Sequence, residues 1–367
     1  MIITGAGVRP AFLSGRDNKM KHSIIPLFIP HYGCPHQCVF CNQVRITGQT
    51  TPVTAEDVER QIERYLSSAR DERYWEAAFY GGSFTALPLS VMEALLRPAE
   101  KALRAGKIRG IRLSTRPDCI SDAVLRLLKA AGVSIVELGA QSLDDKILQQ
   151  AERGHTAGDV EAAVRLLRAY GFGVGLQFMA GLPGETAASI RSTARRGAAL
   201  RPDFVRLYPA LILRGTKLFR LYQKGEYTPL SVREAVYWCA FLKNWYGAHQ
   251  IPVIRTGLQA TEELDAGDSL AGGPYHPAMG ELTDQYLTRH FLFRALKRLR
   301  PFTSCRISFH PRDFSKMTGY RKETKRQAEA AFGGCVRWSA EPALHEGCAR
   351  IETERDALEI TIYKTAK

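Results

Sequence analysis

Short apolar runs alternate with longer amphipathic runs from about residue 23 to residue 221. The apolar runs have the length of buried strands, and the amphipathic runs place apolar residues at helical spacing. This alternation predicts repeated βα units around a parallel sheet. Six consecutive units favour a partial (β/α)6 barrel of the TIM type, with a doubly wound sheet as the alternative. The predicted strands are 24–30, 76–80, 108–115, 133–139, 173–179 and 203–209.

Several of the predicted helices carry recognisable end signals. Thr54 is expected to cap the first helix, with Asp57 three residues later as its capping-box partner. Ser121 is expected to cap a helix whose apolar positions share one face. Gly132 then ends that helix, because glycine adopts the left-handed conformation of a helix terminus at little cost.

The alternating rhythm ends after Tyr222. A helix over 230–250 is rich in aromatic residues, for which core packing is the expected role, and another helix follows at 281–299. Pro301 marks a boundary before a small α/β unit. The chain is thus expected to contain a loose leader, a barrel, a helical extension that completes the side of the barrel, and a small basic domain, over 1–22, 23–225, 226–300 and 301–367.

The chain is strongly basic, with a net charge of +14 and a pI near 9.5. Between Arg289 and Gln327 twelve Lys or Arg residues face only two acidic residues, Asp313 and Glu323. Such a basic run indicates nucleic acid as a partner. The alternative is that these residues form a solvent-exposed face without a binding role. No apolar run is long enough to cross a bilayer, and the first residues lack the apolar core of a signal peptide. A cytoplasmic protein without a membrane partner is expected.

Unusual polar and glycine-rich motifs follow each predicted strand. Barrel enzymes build their active sites at the carboxyl ends of the strands. The agreement across six units therefore predicts one site at that end. In chain order the motifs are GCPHQCVFCNQ, YGGSFT, STRPD, GAQS with ERGH, GLPGET and YPALILRGT.

The first motif holds three cysteines, Cys34, Cys38 and Cys41, in the spacing C-x3-C-x2-C. Clustered cysteines in a cytosolic chain indicate a metal, either zinc or an iron–sulfur cluster. A structural zinc site needs a fourth ligand, for which His31, His36 and Cys119 are candidates. A [4Fe–4S] cluster held by three cysteines leaves one iron open to a chelating substrate.

The cysteine spacing, with the aromatic Phe40 before the last cysteine, resembles the cluster loop of the radical S-adenosylmethionine (SAM) superfamily. YGGSFT is similar to the glycine-rich motif that this superfamily carries after its second strand. TRPD, VELGAQSLDD, ERGHT, GLPGET and YPALILRGTKL resemble the radical domain of the Elongator catalytic subunit. The resemblance covers roughly 24–225, and no acetyltransferase domain is recognisable in the remaining residues. Acetyl chemistry is therefore not carried over.

The resemblance implies a [4Fe–4S] cluster on Cys34, Cys38 and Cys41, with SAM on the fourth iron. Reductive cleavage of SAM would yield a 5′-deoxyadenosyl radical that abstracts hydrogen from a substrate. A low-potential donor such as flavodoxin or ferredoxin is implied. The implied SAM contacts lie on the strand-end motifs and comprise Gly81, Gly82, Ser83, Thr85, Arg116, Gln141, Ser142, Arg153, Gly181, Leu182 and Pro183.

The implied contacts match the chemical groups of SAM. The glycines of YGGSFT let the backbone approach the methionyl amine, with an ordinary tight turn as the alternative, and Ser83 and Thr85 add hydroxyls. Gln141 and Ser142 are assigned to the ribose, and the GLPG turn to the adenine edge. Arg153 is the first candidate for the methionyl carboxylate and Arg116 the second, with a salt bridge at the top of the barrel as the alternative role of Arg116. His36 is expected to be a solvated loop residue, and His155 has no assigned role.

The C-terminal region predicts strand 305–309, helix 311–317, a loop, helix 323–332 and strand 335–338. This order resembles the core of KH-type RNA-binding modules, although Lys322 replaces the second glycine of their GXXG loop. A small cap without RNA-binding function is the alternative. The predicted RNA contacts are Gly319, Arg321, Lys322, Lys325 and Arg326.

These features together predict a radical SAM enzyme that modifies an RNA nucleotide, in tRNA or rRNA. One alternative keeps the radical chemistry but has a small metabolite or a peptide as substrate. A remote alternative is a zinc-stabilised RNA-binding protein without catalytic activity, which would leave the strand-end motifs unexplained.

Overall fold

A computed structural model describes residues 21–29, 34–42, 52–68, 73–258, 269–333 and 335–361. The chain divides into two compact units. The first comprises Met1–Pro229 and Gln259–Gly273, and the second comprises Leu230–Leu258 and Pro274–Lys367. The domain boundaries expected from the sequence at 225/226 and 300/301 stay predictions. Among the described helices, none is both long and apolar enough to cross a membrane.

The first unit is built around six parallel strands in sequential order, with helices in the connections. Every predicted strand is present, with ends shifted by a few residues. The strands are β1 (Lys21–Ile29), β2 (Arg73–Gly81), β3 (Gly110–Thr115), β4 (Val133–Gln141), β5 (Gly173–Ala180) and β6 (Phe204–Pro209). Sequential parallel order is the topology of a βα barrel, and the fold is a partial (β/α)6 barrel of the TIM type.

The helices of this unit pack their apolar faces on the sheet. They are α1 (Ala55–Ser67), α2 (Leu89–Arg104), α3 (Asp122–Ala130), α4 (Asp145–Gln150), α5 (Ala157–Ala169), α6 (Ala187–Ala199) and α7 (Lys217–Gln223). The predicted helix ends are confirmed. Thr54 and Asp57 form a capping box at α1, and the Ser121 hydroxyl accepts the Val124 N–H at α3. Gly132 has φ +77° after α3.

Charged side chains are buried between the strands of the first unit. The Arg112 guanidinium lies between the carboxylates of Glu76 and Glu137, and Arg206 Nε is 2.7 Å from Glu137. Arg206 also donates to the Tyr80 hydroxyl at 2.8 Å. Buried charges are tolerated only when they are paired, which this network achieves. A short antiparallel pair of β7 (Ile212–Leu213) and β9 (Leu270–Gly272), which are distant in sequence, completes the unit.

The second unit contains α8 (Val232–Ala248), β8 (Val253–Thr256), α9 (Met279–Leu299) and the C-terminal region. The aromatic residues of α8 are less buried than expected. Tyr246 is fully buried, whereas Tyr237 is 42% exposed and the others are half-buried. The expectation of core packing is therefore wrong for Tyr237, because the 3.6-residue period places it away from the buried face.

The C-terminal region has the predicted order of strand, helix, loop, helix and strand. Its elements are β10 (Cys305–Phe309), α10 (Phe314–Thr318), α11 (Glu323–Phe332), β11 (Val336–Ala340), β12 (Cys348–Thr353) and β13 (Ala357–Thr361). The strand order is β11-β10-β12-β13, with β10 and β11 parallel. Its core includes Ile307, Phe309 and Ile351. The KH resemblance stays a prediction.

Candidate active site and basic groove

The motifs that follow the first five strands lie in the first unit at the carboxyl ends of the parallel strands. This is the edge at which a βα barrel collects catalytic loops. The cysteine loop follows β1, the glycine motif ends β2, and the TRPD motif follows β3. GAQS ends β4, and GLPGET follows β5. The predicted cofactor residues are therefore distributed around one end of the sheet.

The cysteine loop is anchored by its backbone. Val39 N–H donates to Ala151 O at 3.2 Å, and Val39 O accepts from Leu218 N–H at 2.7 Å. Within the loop, Cys41 N–H donates to Cys38 O at 3.0 Å. Cys38 is buried, while Cys34 and Cys41 are half-buried. Over the described residues, no three His, Cys, Asp or Glu side chains are already assembled as ligands of a single metal ion.

Two arginines converge on the Cys38 sulfur. Arg153 Nη1 donates to Cys38 Sγ at 3.0 Å, and Arg116 Nη1 lies 4.0 Å from the same atom. Both guanidinium groups are almost fully buried. Cysteine binds metals through its negatively charged sulfur, and positive charge nearby offsets that negative charge. The arginines thus make this loop suitable for soft metal ligation.

The two arginines differ in the partners they already have. Arg116 makes a two-point ion pair with Asp118, with both N···O distances 2.9 Å, and donates to Arg153 O. Arg153 Nη2 donates to Gly139 O at 2.6 Å, and its buried Nε has no hydrogen-bond partner within the described part of the chain. Arg116 therefore has the salt bridge considered as its alternative role, and Arg153 retains unused donor capacity.

The glycine motif brings backbone atoms unusually close together. Gly81 has φ +106°, and a Cβ there would lie 2.6 Å from Ile29 O. Gly82 N–H donates to that same carbonyl at 2.8 Å. A side chain at Gly81 would therefore be strained and would also clash with the end of β1. The turn therefore requires glycine at position 81 because of its backbone geometry, independently of any ligand.

The hydroxyls of the glycine motif join β2 to β3. Ser83 Oγ accepts Arg116 N–H at 3.1 Å and lies 3.1 Å from Thr115 Oγ1. Thr85 also contacts Thr115 through its hydroxyl and its N–H. Both side chains are buried. Thr115 was not among the predicted site residues, because nothing in STRPD marks its side chain as the hub of this hydroxyl cluster.

The GAQS motif contains a backbone distortion. Gln141 has φ 64°, and the β4–β5 register shifts between Leu138 and Gln141. A non-glycine residue in this region stores strain, which is common at functional sites. The Ser142 hydroxyl is fully buried, lies 3.1 Å from Thr193 Oγ1 and accepts Asp144 N–H at 3.2 Å. The ribose roles of both residues stay predictions.

The GLPG turn is held by a carboxylate and a phenol that sequence reasoning missed. Gly181 N–H donates to Glu185 Oε2 at 2.6 Å, and Leu182 N–H donates to it at 3.3 Å. Tyr227 donates its hydroxyl to Gly181 O at 2.6 Å. Burial raises the pKa of Glu185 to about 7, against the lowering effect of the two N–H donors. Burial, followed by the Glu185 charge, raises the pKa of Tyr227 to about 12.

Only part of this arrangement had a signal in the sequence. Glu185 is the fifth residue of GLPGET, but spacing alone does not show that its side chain folds back onto the turn. Tyr227 is 46 residues from Gly181, so no local pattern connects them. Gly184 has φ +73°, and a Cβ there would meet Gln150, while Leu182 is buried. Adenine contacts by Gly181, Leu182 and Pro183 stay predictions.

The remaining histidines and Cys119 have different environments. His155 is buried, its Nε2 lies 3.3 Å from Ala140 O, and burial lowers its pKa to about 4. His36 is exposed, as expected, and its ring packs over Gly154. Burial raises the pKa of both Cys34 and Cys119, and for Cys119 the charges of Asp118 and Cys34 also raise it. His31 lies outside the described residues.

Three of the five residues predicted to contact RNA line a groove of about 730 Å³ within the second unit. Its walls come from α8, α9, the loop Gly319–Lys322 and α11. Gly319, Arg321 and Arg326 line it, whereas Lys322 and Lys325 lie beside it on the same loop and helix. We call it the tyrosine–arginine groove after its aromatic and cationic lining residues, Tyr237, Tyr286, Tyr320, Arg233, Arg289, Arg321 and Arg326.

Comparison with known proteins agrees with the geometry of the first unit. The family signature of the radical SAM superfamily matches residues 28–197, and that of the radical SAM C-terminal domain matches 202–289. An uncharacterised protein of Methanocaldococcus jannaschii is 30% identical over 241 residues, which span 62% of this chain and 73% of that protein. The chain belongs to the radical SAM superfamily.

Other relatives of this radical SAM protein carry a more specific name. A tRNA uridine(34) acetyltransferase of Methanocaldococcus jannaschii is 26% identical over 302 residues, covering 70% of this chain. The alignment spans 54% of that enzyme, about half its length. An N-terminally truncated Elp3 from the archaeon Methanocaldococcus infernus has a TM-score of 0.59 at 21% identity, covering 74% of this chain and 64% of that one. The structural likeness concerns the fold.

Membership makes the chain a radical SAM enzyme whose cofactors are a [4Fe–4S] cluster and SAM. The residues present fit both groups. Three thiols lie in one backbone-anchored loop with guanidinium groups beside Cys38. Arg153 Nε and His155 Nδ1 are buried polar atoms without hydrogen-bond partners in the described chain. Unsatisfied buried donors and acceptors are costly, so they indicate that a polar ligand completes this site.

Proposed function

We propose that this radical SAM enzyme modifies a nucleotide of RNA, in tRNA or rRNA. The observation that carries the proposal is the tyrosine–arginine groove, which combines cationic and aromatic side chains in the unit that follows the barrel. The tRNA uridine(34) acetyltransferases among its relatives support the same substrate class. Acetyl transfer is not part of the proposal.

Cys34, Cys38 and Cys41 would hold the cluster, leaving one iron for SAM. When bound, these two cofactors supply a 5′-deoxyadenosyl radical through one-electron cleavage of SAM. The residues of this chain would bind the two cofactors, orient them and shield them from solvent. The guanidinium groups of Arg116 and Arg153 lie beside Cys38 Sγ, where their positive charge would offset the negative charge of a thiolate-bound cluster.

Arg153 is the stronger candidate for binding the methionyl carboxylate. Its guanidinium is buried and keeps an unpartnered Nε within the described site, whereas Arg116 is already paired with Asp118. A buried guanidinium that meets a carboxylate gains a charge-assisted hydrogen bond. Arg116 would then position Arg153 by donating to its carbonyl. Arg153 thus binds SAM, and Arg116 acts through Arg153.

The glycine motif would receive the methionyl amine, with Gly81 and Gly82 allowing close backbone approach and Ser83 and Thr85 fixing the turn. The strained Gln141 would aim its amide at the ribose, with Ser142 holding the backbone behind it. Gly181, Leu182 and Pro183 would meet the adenine edge, and the Glu185 and Tyr227 hydrogen bonds hold that turn in shape.

The RNA base must come within contact of the radical carbon. Base-modifying enzymes meet this need by acting on unpaired bases or by extruding the base from the helix. The basic run after Arg289 would bind the phosphates of the RNA, because phosphate contacts position a nucleic acid without reading its sequence. The electron would come from a low-potential donor such as flavodoxin or ferredoxin, in the cytoplasm.

Release of 5′-deoxyadenosine tests this function. Anaerobically reconstituted protein, supplied with dithionite and SAM, is expected to release it faster when bulk cellular RNA is added. Cys38→Ala should abolish release, while Cys348→Ala, a cysteine of the second unit, should not change it. RNA that carries one deuterated type of nucleoside should transfer deuterium into 5′-deoxyadenosine when that nucleoside is the target, which would identify it.

Each other outcome contradicts a stated part of the proposal. If added RNA leaves the release of 5′-deoxyadenosine unchanged, the substrate would be a small metabolite or a peptide and not RNA. No release from cluster-loaded protein, with or without RNA, would contradict the radical mechanism for this chain. Equal loss in Cys38→Ala and Cys348→Ala would show that the loss reflects general damage rather than cluster ligation.

A further inference from the structure

The tyrosine–arginine groove has the size and lining of a site for one unpaired nucleotide. Its volume of about 730 Å³ falls within the range of 300–1,000 Å³ that is typical of ligand pockets. Tyr237 and Tyr320 are exposed, and Tyr286 is half-buried. An exposed ring face on a groove wall offers a surface on which a base can stack.

Guanidinium groups lie beside these rings. The Arg321 Cζ is 5.2 Å from the centroid of Tyr320, and the Arg289 Cζ is 5.7 Å from that of Tyr286. Arginine planes stack on aromatic rings and on bases alike, and they also bind phosphates. Each pair therefore combines a stacking surface with a cationic group within the dimensions of one nucleotide.

The charge balance of the groove favours an anion. Four arginines face two carboxylates, Glu234 and Glu323. Glu234 is held by the Ser231 cap, and Glu323 is held by Arg326 and Gln327. Arg321 makes no ion pair with any described residue. Its charge is therefore available to a phosphate that carries the base into the groove.

The loop that presents Tyr320 is fixed by its backbone. Gly319 has φ +77°, and a Cβ there would lie 2.5 Å from Thr324 Oγ1. Tyr320 N–H donates to Gln285 Oε1 at 2.9 Å, and Arg321 and Lys322 both have positive φ. These constraints hold the loop while the Tyr320 side chain stays 61% exposed. The ring is thus preorganised without being part of the core, which reduces the entropy cost of binding.

We propose that the tyrosine–arginine groove binds one unpaired nucleotide of the RNA, with the base stacked on Tyr320 and its phosphate on Arg321. This inference rests on the proposed RNA substrate and adds that the second unit recognises single-stranded RNA through a base, not only through charge. Stacking is tolerant of sequence because every base has a π face. The groove would thus hold an unpaired flank of the target.

Tyr320→Ala is the variant that separates stacking from charge. With a fluorescein-labelled, unstructured 12-nucleotide RNA and the full chain, we expect it to weaken binding about tenfold, the typical loss on removing an aromatic stacking partner. Tyr320→Phe keeps the ring and should bind within about twofold of the unmodified protein. Tyr222→Ala is the matched control, because Tyr222 is an exposed tyrosine of the first unit.

Two further measurements sharpen the test. The same RNA annealed to its complement offers no unpaired base, so Tyr320→Ala should leave its affinity unchanged. An RNA with one 2-aminopurine should change its fluorescence on binding to the unmodified protein and to Tyr320→Phe, and not to Tyr320→Ala. A purely electrostatic surface would not produce this difference.

The outcomes separate this inference from the function on which it rests. RNA binding that is insensitive to Tyr320→Ala, with no 2-aminopurine signal, would overturn the stacking site and leave the RNA substrate standing. Equal weakening of single-stranded and duplex RNA would likewise overturn it in favour of a phosphate-binding face. No RNA binding by the unmodified chain, with tight binding of a phosphorylated peptide instead, would overturn both.

Discussion

Glu185 shows how a single buried carboxyl group can make the candidate site sensitive to pH. Burial raises its pKa from about 4.5 to about 7, and its oxygen accepts the N–H groups of Gly181 and Leu182. The folded chain therefore keeps this proton at pH values where the unfolded chain has released it. Stability falls as the pH rises from about 4.5 to about 7, and it stays lower above that range.

Glu185→Gln should remove this dependence, because the amide oxygen still accepts the two N–H groups but carries no charge. We expect the variant to equal the unmodified protein in stability near pH 4.5 and to exceed it at pH 8 by up to about 3 kcal/mol. Denaturant unfolding at the two pH values measures the difference. The exposed Glu226→Gln is the control. A stability difference that is the same at both pH values would contradict the assignment.

Arg116 and Arg153 show where residue-level prediction from the sequence ends. Both were candidates for the same carboxylate, since each is an arginine in a strand-end motif. Their partners separate them, because Asp118 occupies Arg116 and no described carboxylate occupies Arg153. Asp118 is two residues away and could have been suspected, but the approach of Arg153 to Cys38 spans 115 residues and has no local signal.

At the scale of elements, the turn after β2 depends on a close approach between two backbones. Gly81→Ala combines an unfavourable φ of +106° with a Cβ 2.6 Å from Ile29 O. Gly106→Ala has a milder dihedral cost and no clash, since its φ of +68° lies in the left-handed helical region and nothing lies within 4 Å of its Cβ. The difference between the two variants therefore measures what the close approach at Gly81 adds to the ordinary cost of a positive φ.

We expect Gly106→Ala to cost about 1 kcal/mol and Gly81→Ala about 3 kcal/mol, because a backbone carbonyl cannot move aside as a flexible side chain can. Denaturant unfolding gives both values. Gly81→Ala should also weaken SAM binding by the reconstituted protein, whereas Gly106→Ala should not. Equal costs for the two variants would mean that the end of β1 adjusts freely and that the close approach is unimportant.

The regular elements were the most predictable part of the molecule. The parallel strands of the first unit are short, largely buried apolar runs, so apolar content and glycine positions were enough to locate them. The α8 helix was located equally well, but the exposure of Tyr237 was not foreseen. The hydrophobic period shows that a helix has an apolar face. It does not show which neighbouring elements cover that face. The tyrosine–arginine groove needed α8, α9 and the Gly319 loop together, and these segments are far apart in sequence.

For the molecule as a whole, the net charge of +14 predicts that RNA affinity depends strongly on salt. The excess is concentrated after Arg289, so the phosphates are expected to follow the second unit. Each phosphate contact on single-stranded nucleic acid contributes about 0.7 to the slope of log affinity against log salt concentration. The slope therefore reports the number of phosphate contacts, whereas the affinity at a single salt concentration does not.

Arg321→Gln combined with Lys322→Gln should reduce that slope by about 1.4, because two phosphate contacts are removed. Tyr320→Ala should weaken binding at every salt concentration and leave the slope unchanged, since a ring releases no counterions. Arg126→Gln, an exposed arginine of α3 in the first unit, is the charge control and should leave the slope unchanged as well. Anisotropy titrations of the 12-nucleotide RNA between about 50 and 300 mM KCl, a range that brackets the roughly 10 Å Debye length of 0.1 M salt, give all the slopes. If the double variant had the unmodified slope, the Gly319 loop would not contact phosphates, and the basic run would be a solvated face.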